Sequence, residues 1–575
     1  MEKIWQYKPT PTSETETMQV QNLQKDLGIS ESMAVMLWQR GISDFDEAKH
    51  FFRPDIVDLH DPFLMKDMDL AVNRLIKATE NNEKIMIFGD YDVDGTTAVA
   101  LFYGFLSKHY PNLETYNPDR YLEGYGISIM GIDKAAELGC SLMISLDCGI
   151  KSIDKVKYAT EKHGIDFIVC DHHEPGEDLP EAVAVLDPKR TDCPYPFKEL
   201  TGNGVGFKLL TAFCIKKDIP LSEIFDFLDL AMVSIASDIV PIVGENRILA
   251  YFGLKKINEN PRTGLKALKA VAGFTGEMTI ENVVFVLGPR INAAGRIKHA
   301  KAAVSLLLSE NYDEALAFAY EIQAHNTERK TLDSRITEEA LEMIRQDPWL
   351  MNEAKSTVLF NQNWHKGVIG IVASRCIENF HRPTIIFTQS KENYAAGSAR
   401  SVPGFDLYGA LEKCSHLLEQ FGGHMHAAGM TIPIGNLDAF RKYFDQIVSE
   451  FITEEQLIPK ITIDVKIPLS EISPKFNRIM KQMAPFGPQN MQPIFVSENL
   501  QLASDPKIMK EKHLRLEVLD PESGSVMTAV GFNMVADYYE KLLGGQPFSM
   551  AYSLEENTFR DKTTLQLFAR DFKFQ

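Results

Sequence analysis

The segment KIMIFGDYDVDGTTAVALFYGFL (84–106) constrains the fold of this chain more than any other. Its apolar start predicts a strand, and the run after Gly95 predicts a helix. Asp90, Asp92 and Asp94 stand two residues apart at the junction. Three carboxylates this close repel one another at neutral pH unless divalent cations or an open, solvated position neutralise them. The segment therefore predicts a strand that ends in a metal-binding turn, with a helix starting beneath it.

Short apolar runs alternate with helical patterns through the first half of the chain. The runs are MIF (86–88), LMISL (142–146), FIVC (167–170) and AVAVL (182–186), and helical stretches such as 152–164 separate them. Such alternation is typical of the α/β class, in which a parallel sheet has helices on both faces.

The chain is long enough for several domains. Its 575 residues and hydrophobic content of 45% suit about three or four domains with their own cores. Residues 311–347 have helical spacing and no Pro or Gly, and as one helix they would span ~55 Å. An ordinary surface helix, broken once, is an equally good interpretation. Residues 349–452 form a second α/β segment, and short strands after residue 455 predict a small antiparallel barrel.

Composition limits which cellular compartment and which partners are expected for this chain. The seven cysteines are scattered and form no CxxC pair, which indicates a reducing compartment without disulfides or structural zinc. The N-terminus has no apolar signal core, and aspartates interrupt the most apolar stretch, 224–243. We therefore expect a soluble, cytoplasmic protein without a membrane partner. The net charge of −19 argues only weakly against a nucleic-acid partner, because a few focused Arg and Lys residues can dominate one groove.

Further acids and histidines follow other apolar runs. Asp147 follows the run at 142–146, His172 and His173 follow the run at 167–170, and Asp238 follows SIAS. Because ligands collect outside the carboxyl ends of strands in open α/β sheets, we expect these side chains to converge. Each has a simpler interpretation as a turn, a solvated loop or a cap, and Asp238 would equally mark a strand end or a helix end. Their occurrence together favours a site.

A cluster of five aspartates with one or two histidines suits hard divalent cations. Carboxylates and an occasional imidazole bind Mn²⁺ or Mg²⁺, and one carboxylate can bridge two ions. Two such ions lower the pKa of a shared water and stabilise both oxygens in a phosphoryl displacement. The cluster therefore predicts phosphoester hydrolysis with two ions, Mn²⁺ or Mg²⁺, as cofactors.

Two sets of motifs carry a family resemblance. DYDVDG (90–95), LDCG (146–149), DHH (171–173) and SDIV (237–240) resemble, in this order, the motifs of the DHH phosphoesterase superfamily. GPRINAAGR (288–296), WHKGVIGIVASR (364–375), GSARS (397–401) and FGGHMHAAG (421–429) further resemble the RecJ family of single-stranded-DNA-specific exonucleases. The resemblance covers about residues 70–500.

The resemblance implies an activity and a domain order. It implies a 5′→3′ exonuclease that releases mononucleotides from single-stranded DNA in repair and recombination, with a helicase and a single-strand-binding protein as candidate partners. The implied segments are an N-terminal lead-in (1–69), a parallel-sheet DHH domain (70–310), a long linking helix (311–348), a second α/β domain called DHHA1 (349–452) and a C-terminal OB-fold β-barrel (455–575).

The same resemblance assigns roles at the metal site. Asp90, Asp92 and Asp147 would hold one ion, and the second ion would be held by Asp94, Asp147, His172 and Asp238, with Asp147 shared. His173 is implied to contact the scissile phosphate or to act as an acid. Many DHH proteins have a histidine where this chain has Phe88, and Asp90 would replace that ligand. The catalytic group is therefore expected to be Asp147, His172, His173 and Asp238.

Several of these motifs contain arginine or glycine residues that could bind the phosphates of a nucleic-acid strand. Arginine gives bidentate contacts to phosphate, and glycine-rich backbone can cradle it. The resemblance places a 5′-phosphate pocket at Ser398 and Arg400. An isolated arginine is more often part of a surface ion pair, and a glycine-rich loop is as often a turn. The predicted substrate-binding set is Arg120, Arg290, Asn292, Arg296, Ser398, Arg400, Gly422, Gly423 and His424.

The last segment offers a second nucleic-acid surface. Lys507, Lys510, Lys512, His513 and Arg515 lie close together in the sequence, and OB-folds bind single strands through stacking and a basic groove. A charged strand face that only solubilises the barrel is an equally good interpretation.

Two other functions fit parts of the sequence. A DHH-type nanoRNase or oligonucleotide phosphodiesterase would use the same metal site, but such proteins are typically shorter and lack the C-terminal barrel. A non-catalytic single-strand-binding scaffold would be expected to have lost some carboxylates, whereas all are present here. The sequence leaves open the choice of Mn²⁺ or Mg²⁺ and of DNA or RNA.

Overall fold

The computed structural model describes residues 2–120, 122–297, 301–559 and 562–574, with the backbone alone described for 294–297, 559 and 562. Its contacts divide the chain into two compact units. One is built mainly from Ala324–Ile461, and the other combines Tyr7–Gln323 with Thr462–Gln575. Among the described helices, none combines the length and the apolar character needed to cross a membrane.

The predicted N-terminal lead-in is mainly helical. Ser13 caps the first helix and forms a reciprocal capping box with Glu16, while Gly28 in the left-handed conformation ends it. The elements are β1 (Ile4–Tyr7), α1 (Glu14–Leu27), α2 (Glu31–Trp38) and α3 (Phe45–Phe52).

A parallel sheet follows, and the four predicted apolar runs are strands in it. The strand order is β3-β2-β4-β5-β6, and each adjacent pair is parallel. The carboxyl ends of β2, β4, β5 and β6 therefore meet at one edge. The elements are α4 (Met68–Glu80), β2 (Lys84–Gly89), α5 (Val93–Leu106), β3 (Leu113–Tyr116), α6 (Ile129–Glu137), β4 (Cys140–Leu146), α7 (Ile153–His163), β5 (Asp166–Cys170) and β6 (Ala184–Leu186).

Both faces of this sheet are buried. Ile85 and Ile87 of β2 pack into one hydrophobic cluster, while Met86 and Phe88 pack into another on the opposite face. Strands buried on both sides read as continuous apolar runs, which is why the sequence identifies them.

Helices complete this region and supply further site residues. The run SIAS before Asp238 is the end of a helix, α10, so this acid marks a helix end and the alternative of a strand end is wrong. A π-helical turn, Val283–Leu287, precedes α14. The elements are α8 (Gly202–Lys216), α9 (Ser222–Phe225), α10 (Leu228–Ser237), α11 (Gly244–Glu259), α12 (Thr263–Val271), α13 (Ile280–Asn282), α14 (Gly288–Ile297) and α15 (Lys301–Leu308).

The long charged segment is one continuous helix, α16 (Tyr312–Gln346). The α/β segment after it contains a mixed sheet with the strand order β10-β11-β9-β8-β7, in which only the β7–β8 pair is parallel among the described pairings. The elements are α17 (Pro348–Asn352), β7 (Thr357–Phe360), α18 (Ile369–Phe380), β8 (Thr384–Lys391), β9 (Tyr394–Arg400), α19 (Leu407–Lys413), β10 (Gln420–His424), β11 (Ala427–Pro433) and α20 (Leu437–Phe451).

The C-terminal strands close into a barrel. The order is β13-β14-β18-β19-β17-β16-β15, and a further pairing of β14 with β16 closes the sheet on itself. The β13–β14 and β17–β19 pairs are parallel, so the prediction of an antiparallel barrel is wrong for these two pairs. Helices α1–α3 share one core with this barrel, since Val20 and Leu23 belong to the same cluster as Phe495 and Tyr552. The elements are β12 (Lys460–Ile463), β13 (Val465–Lys466), α21 (Pro474–Gln482), β14 (Phe495–Leu502), β15 (Lys507–Met509), β16 (His513–Asp520), β17 (Ser525–Gly531), α22 (Val535–Leu543), β18 (Phe548–Phe559) and β19 (Lys562–Phe574).

Candidate active site

One edge of the parallel sheet gathers the predicted metal ligands. Asp90 follows β2, Asp147 follows β4, and His172 lies just beyond β5. Asp238 reaches the same place from the carboxyl end of α10. Asp147 has a positive φ of 61°, a conformation that Asp adopts more readily than most residues. Segments that are distant in the sequence therefore converge, as the strand-end argument predicts.

The imidazole of His172 lies at the centre of this group. Its Nε2 atom is 3.3 Å from Asp147 Oδ1, 3.6 Å from Asp238 Oδ2 and 3.8 Å from Asp94 Oδ2. This nitrogen is buried and has no hydrogen-bond partner among the described residues. The three carboxylates and the imidazole nitrogen are thus close enough to bind one cation together.

The carboxylate of Asp94 accepts hydrogen bonds from three groups that were not predicted from the sequence. Its Oδ2 accepts a hydrogen bond from Gly202 N (2.7 Å), and its Oδ1 accepts from Asn203 N (2.9 Å) and Ser234 Oγ (2.7 Å). Gly202 begins α8, so the carboxylate lies at a helix N-terminus, where free N–H groups favour an anion. The available signal was the sequence TGNG (201–204), in which Thr201 is a typical N-cap residue.

Gly202 also needs to be glycine because of its neighbour. A Cβ atom at this position would lie 2.5 Å from the Cα and Cβ atoms of Asp147. The close approach brings the start of α8 directly against the turn that carries this predicted bridging ligand.

The predicted ligands of the other ion are gathered less tightly. Asp92 is the N-cap of α5 and accepts a hydrogen bond from Gly95 N (3.0 Å). Asp90 accepts one from Gly126 N (3.1 Å) through Oδ1, while its buried Oδ2 has no partner among the described residues. In that part of the chain, the sets of three donors within 4.8 Å of one another are Asp94 with His172 and Asp238, and Asp147 with His172 and His173.

The acids at this edge repel one another. Burial and the nearby Asp92 raise the pKa of Asp90 well above its usual value. Burial and the charge of Asp94 do the same to the pKa of Asp147 and of Asp238. Such a cluster is costly unless a cation neutralises it.

The donor set fits a hard divalent cation. The free donor atoms, Asp90 Oδ2, Asp147 Oδ2 and His172 Nε2, are buried and unpartnered among the described residues. Carboxylate oxygens with one imidazole are the ligands that Mn²⁺ and Mg²⁺ accept. When bound there, a pair of such ions would supply an activated water and charge stabilisation for phosphoryl transfer.

The two adjacent histidines have opposite environments. Burial lowers the pKa of His172 to about 4, which keeps its imidazole neutral and able to bind a metal. Burial also opposes a charge on His173, but its Nδ1 lies 2.7 Å from Asp171 Oδ1, and this hydrogen bond raises the pKa of His173 to about 9. The neutral form of His172 suits a metal ligand, whereas the Asp171 carboxylate favours the protonated form of His173.

Asp171 is the anchor of this arrangement. Burial would raise its pKa, but the hydrogen bond from His173 outweighs it, so that the pKa of Asp171 falls to about 2. Its Oδ2 accepts a hydrogen bond from Ile150 N (2.8 Å), and its Oδ1 accepts one from His172 N (2.8 Å). Asp171 thus fixes both histidines without being one of the predicted ligands.

An aromatic cluster that the sequence argument missed borders the metal site. Tyr125 is half-exposed, and its hydroxyl lies 2.9 Å from His173 Nε2. Its ring contacts the Tyr91 ring edge-on, and Arg120 lies over that ring with its guanidinium carbon 4.9 Å from the centroid. Arg120 also lowers the pKa of Asp90 in opposition to burial, which places it beside the predicted ligands.

Two further predicted arginines, Arg290 and Arg296, belong to α14. Arg290 is buried, and it donates to Gln323 Oε1 (2.8 Å) and to the Val286 carbonyl (2.5 Å). Asn292 is half-buried in the same helix. The side chain of Arg296 lies outside the described residues. Their assignment to the substrate stays a prediction.

Ser398 and Arg400 form a second candidate site in the other unit. Both lie on β9, and Arg400 Nη1 donates to Ser398 Oγ (3.0 Å). Gly370, in the first turn of α18, faces both of them, since a Cβ there would lie 2.8 Å from Arg400 Nη2 and from Ser398 Oγ. A helix start, an arginine and a hydroxyl together are suited to an anion.

The neighbouring strands carry the predicted glycines. Gly422 pairs with Gly429, which pairs with Ser398, so a row free of side chains crosses β10 and β11 beside the serine. His424 lies in line with Arg400 through the same pairings. We call this surface the glycine face; it consists of Ser398, Arg400, Gly422, His424 and Gly429. Gly423 faces the opposite side of β10.

Family models match three parts of the chain. They are the DHH family, N-terminal domain, over residues 84–235, the DHHA1 domain over residues 353–450 and the RecJ OB domain over residues 463–571. The first contains the metal-ligand cluster except Asp238, and the second contains the glycine face. The matched ranges agree with the predicted order of an α/β domain, a second α/β domain and an OB-fold.

Curated relatives and solved structures agree with these models. The single-stranded-DNA-specific exonuclease RecJ of Bacillus subtilis is 37% identical over 556 residues, covering 96% of this chain and 69% of that protein. The RecJ of Escherichia coli is 31% identical and covers 88% of this chain and 89% of that protein. The crystal structure of Thermus thermophilus RecJ with Mn²⁺ superposes with a TM-score of 0.84 at 26% identity, covering 100% of this chain and 80% of that one. The chain therefore belongs to the RecJ family of single-stranded-DNA-specific exonucleases.

Proposed function

We propose that this protein is a metal-dependent exonuclease that hydrolyses the phosphodiester bonds of single-stranded DNA from the 5′ end and releases 5′-mononucleotides. The observation that carries the proposal is the unpartnered Nε2 of His172 among the carboxylates of Asp94, Asp147 and Asp238. Membership of the RecJ family supplies the substrate class. The Mn²⁺ and Mg²⁺ complexes of a related RecJ support either ion as the cofactor.

The proposed division of the ligands is the one that the family resemblance implies, and the geometry supports one half of it. Asp94, His172 and Asp238 bind one ion, and their ligand atoms already lie together. Asp90 and Asp92 bind the other, and Asp147 is shared. His173 is the proposed contact to the scissile phosphate, because its positive charge is held by Asp171 beside the metal ligands.

The glycine face is the proposed pocket for the 5′-phosphate. Arg400 supplies a fork of donors, Ser398 a hydroxyl, and the bare glycine row lets a phosphate approach the backbone. Recognition of a terminal phosphate selects ends over internal bonds. Arg120, beside Asp90, is the proposed partner of a phosphate near the metals.

The barrel carries a surface suited to the unpaired bases of a single strand. His513 and Phe532 are in ring contact, Phe532 stacks on Phe568 with centroids 5.2 Å apart, and Arg570 lies over Phe568. Aromatic rings beside cations bind unpaired bases without regard to sequence. Lys507 and Arg515, two of the basic residues noted in the sequence, are directly paired across β15 and β16. Arg515 therefore lies on the strand that also carries His513 of this aromatic group.

One experiment tests the activity and its direction. The purified chain is incubated with single-stranded and duplex DNA and RNA, labelled at the 5′ or the 3′ end, with Mn²⁺ or Mg²⁺, and product length is followed. We expect labelled mononucleotide to appear at once from 5′-labelled single-stranded DNA and late from 3′-labelled DNA. Internal cleavage products, or activity in a chelator, would overturn the proposal.

Two alternative functions and the proposed protein partners have the same assay as their test. A short-oligonucleotide phosphodiesterase would leave long strands intact, and a non-catalytic scaffold would leave all of them intact; the RecJ OB match and the full set of acids disfavour both. A helicase and a single-strand-binding protein are the proposed partners, since duplex DNA must be opened first, and their addition should extend digestion into duplex. The proposed compartment is the cytoplasm, in agreement with the buried free thiols.

A further inference from the structure

The chain that follows Asp238 contacts the loop between α21 and β14 of the C-terminal region, residues APFGPQN (484–490), which we call the clamp loop. Ile242, four residues after Asp238, donates its N–H to the carbonyl of Pro488 (2.8 Å). The side chain of Ile242 is fully buried, and a Cβ on Gly487 would lie 2.5 Å from its Cγ1 atom. There is thus no free space between the two segments.

The clamp loop is itself a fixed structure. Gly487 and Asn490 exchange two backbone hydrogen bonds of 3.0 and 2.9 Å. The buried side chain of Asn490 donates to the carbonyls of Met483 (2.9 Å) and Pro485 (2.8 Å). Its Oδ1 accepts from Arg40 Nε (2.9 Å). A loop with this many internal bonds can hold a neighbouring segment in one place.

Arg247 makes a second connection from the same side. Its buried guanidinium donates to the carbonyls of Met483 (3.1 Å) and Ala484 (3.0 Å), and to that of Phe51 (2.8 Å). Arg247 lies in the first turn of α11, which begins at Gly244. The clamp loop therefore holds both the segment after Asp238 and the helix that this segment leads into.

Asp238 depends on such support more than its neighbour Asp94 does. The Asp94 carboxylate accepts hydrogen bonds from Gly202, Asn203 and Ser234, whereas no hydrogen bond to the Asp238 carboxylate occurs within the described ranges. The position of Asp238 is set by its backbone, which is bonded to Ser234 O (2.9 Å) on one side and continues to the clamped Ile242 on the other.

We infer that the clamp loop positions Asp238 for metal binding, so that the C-terminal region contributes to the metal centre as well as to strand binding. This inference rests on the proposed function, because it requires Asp238 to be a metal ligand. Gly487, Asn490 and Arg247 are then positioning residues that touch neither the metal nor the substrate.

The test measures Mn²⁺ affinity of the full chain by titration calorimetry and by the EPR signal of free Mn²⁺. Gly487→Ala inserts the Cβ that has no space against Ile242, and we expect Mn²⁺ to bind roughly 10- to 100-fold more weakly, the range for supporting residues around a metal. The double variant Gly487→Ala with Ile242→Ala removes the obstructing side chain and should recover part of the loss. Gly435→Ala is the matched control, because a Cβ there meets nothing within 4 Å.

The outcomes separate this inference from the proposed function. The melting temperature of the metal-free chain is measured for each variant, and if Gly487→Ala does not fold, Ile242→Val takes its place with a smaller expected loss. A folded variant with affinity within twofold of the parent would overturn the positioning role. If Asp238→Asn itself binds Mn²⁺ as the parent does, the proposed metal site is wrong; if Asp238→Asn loses Mn²⁺ and Gly487→Ala does not, only the inference is wrong.

Discussion

The parallel sheet and the mixed sheet carry their candidate sites in opposite ways. In the parallel sheet the site lies at the carboxyl ends of the strands, and it is made of buried acids that repel one another, such as Asp90 and Asp147. In the mixed sheet the site lies on the face of β9, β10 and β11, and it is made of glycines that leave the backbone open, beside Ser398 and Arg400.

As proposed, the two sites would bind phosphate groups by two different physical routes. The first site concentrates negative charge and depends on cations to bind an anion at all. The second site offers positive charge and hydrogen-bond donors directly. Removal of a group from the first should therefore abolish the chemistry, whereas removal from the second should change which ends are accepted.

The largest effect should come from Asp147→Asn. Asparagine tolerates the positive φ at this position but lacks the charge that a bridging ligand needs. Loss of several kcal/mol of metal-dependent stabilisation corresponds to a decrease in kcat of about 10³-fold or more. In a chelator the same variant should melt at a higher temperature than the parent, because burial and Asp94 raise the pKa of Asp147 and make its charge unfavourable without metal.

Rates with Mn²⁺ and melting curves in chelator check both halves of this prediction. Asp154→Asn, at an acid in the first turn of α7 outside the predicted ligand set, is the control and should keep the parent rate. A variant Asp147→Asn with near-parent kcat would remove Asp147 from the site.

The second-largest effect should come from Arg400→Ala. A hydrogen bond to a charged group contributes about 1.5–3 kcal/mol, or roughly 10- to 150-fold in affinity. We expect KM for 5′-phosphorylated strands to rise by this factor and KM for 5′-hydroxyl strands to change little. Arg345→Ala, in an exposed pair with Glu342, is the control. Equal losses on both kinds of end would show that the glycine face does not recognise the terminal phosphate.

The two sites also differ in how far the sequence predicts them. The acids of the parallel sheet follow apolar runs, and the repulsion between Asp90, Asp92 and Asp94 requires an explanation that a cation supplies. The strands β2, β4, β5 and β6 were predicted correctly because their residues are buried on both faces. The residues of the glycine face show no comparable cluster of like charges in the sequence. The alignment of Gly422, Gly429 and Ser398 depends on the register between strands, which a single sequence does not reveal.

Contacts between distant segments were beyond the sequence argument. The bonds from Gly202 and Asn203 to Asp94 join residues more than a hundred positions apart, and the glycines there resemble an ordinary loop. SIAS before Asp238 is too short for periodicity to separate a strand from a helix. The helices of the predicted N-terminal lead-in, with Val20 as an example, complete the core of the C-terminal barrel.

A smaller effect should come from Gly429→Val on the glycine face. A Cβ at Gly429 meets nothing within 4 Å, so the fold should accept valine, which suits a strand such as β11. The side chain would cover the row that a phosphate needs, and we expect affinity for 5′-phosphorylated strands to fall roughly tenfold, the equivalent of about one hydrogen bond. Gly435→Val, at another position with open space, is the control. Unchanged binding by a folded variant would mean that phosphate does not approach this row.

The smallest effect should come from the positive charge of His173, which lies beside the acids of the metal site. The folded pKa of His173, about 9, lies above its ordinary value of 6.5, so its contribution to stability is complete below pH 6.5 and is lost as pH rises through 9. The pKa of Asp171, about 2 against 3.8, adds a contribution that is lost as pH falls through 2. Since 42% of the His173 side chain is exposed, the effect should be about 1 kcal/mol or less.

Melting temperatures of the chelator-treated chain between pH 6 and 10 measure this contribution (roughly the range set by the folded pKa). The variant His173→Gln should lack the part of the decline that the parent shows between pH 6.5 and 9. His50→Gln, at an exposed histidine, should follow the parent. If the parent and His173→Gln decline in parallel, His173 is not held as a cation by Asp171, and its proposed contact to the scissile phosphate loses its electrostatic basis. Arg120 would then remain as a positive side chain placed beside the acids of the parallel sheet, and more of the neutralisation would fall to the bound ions.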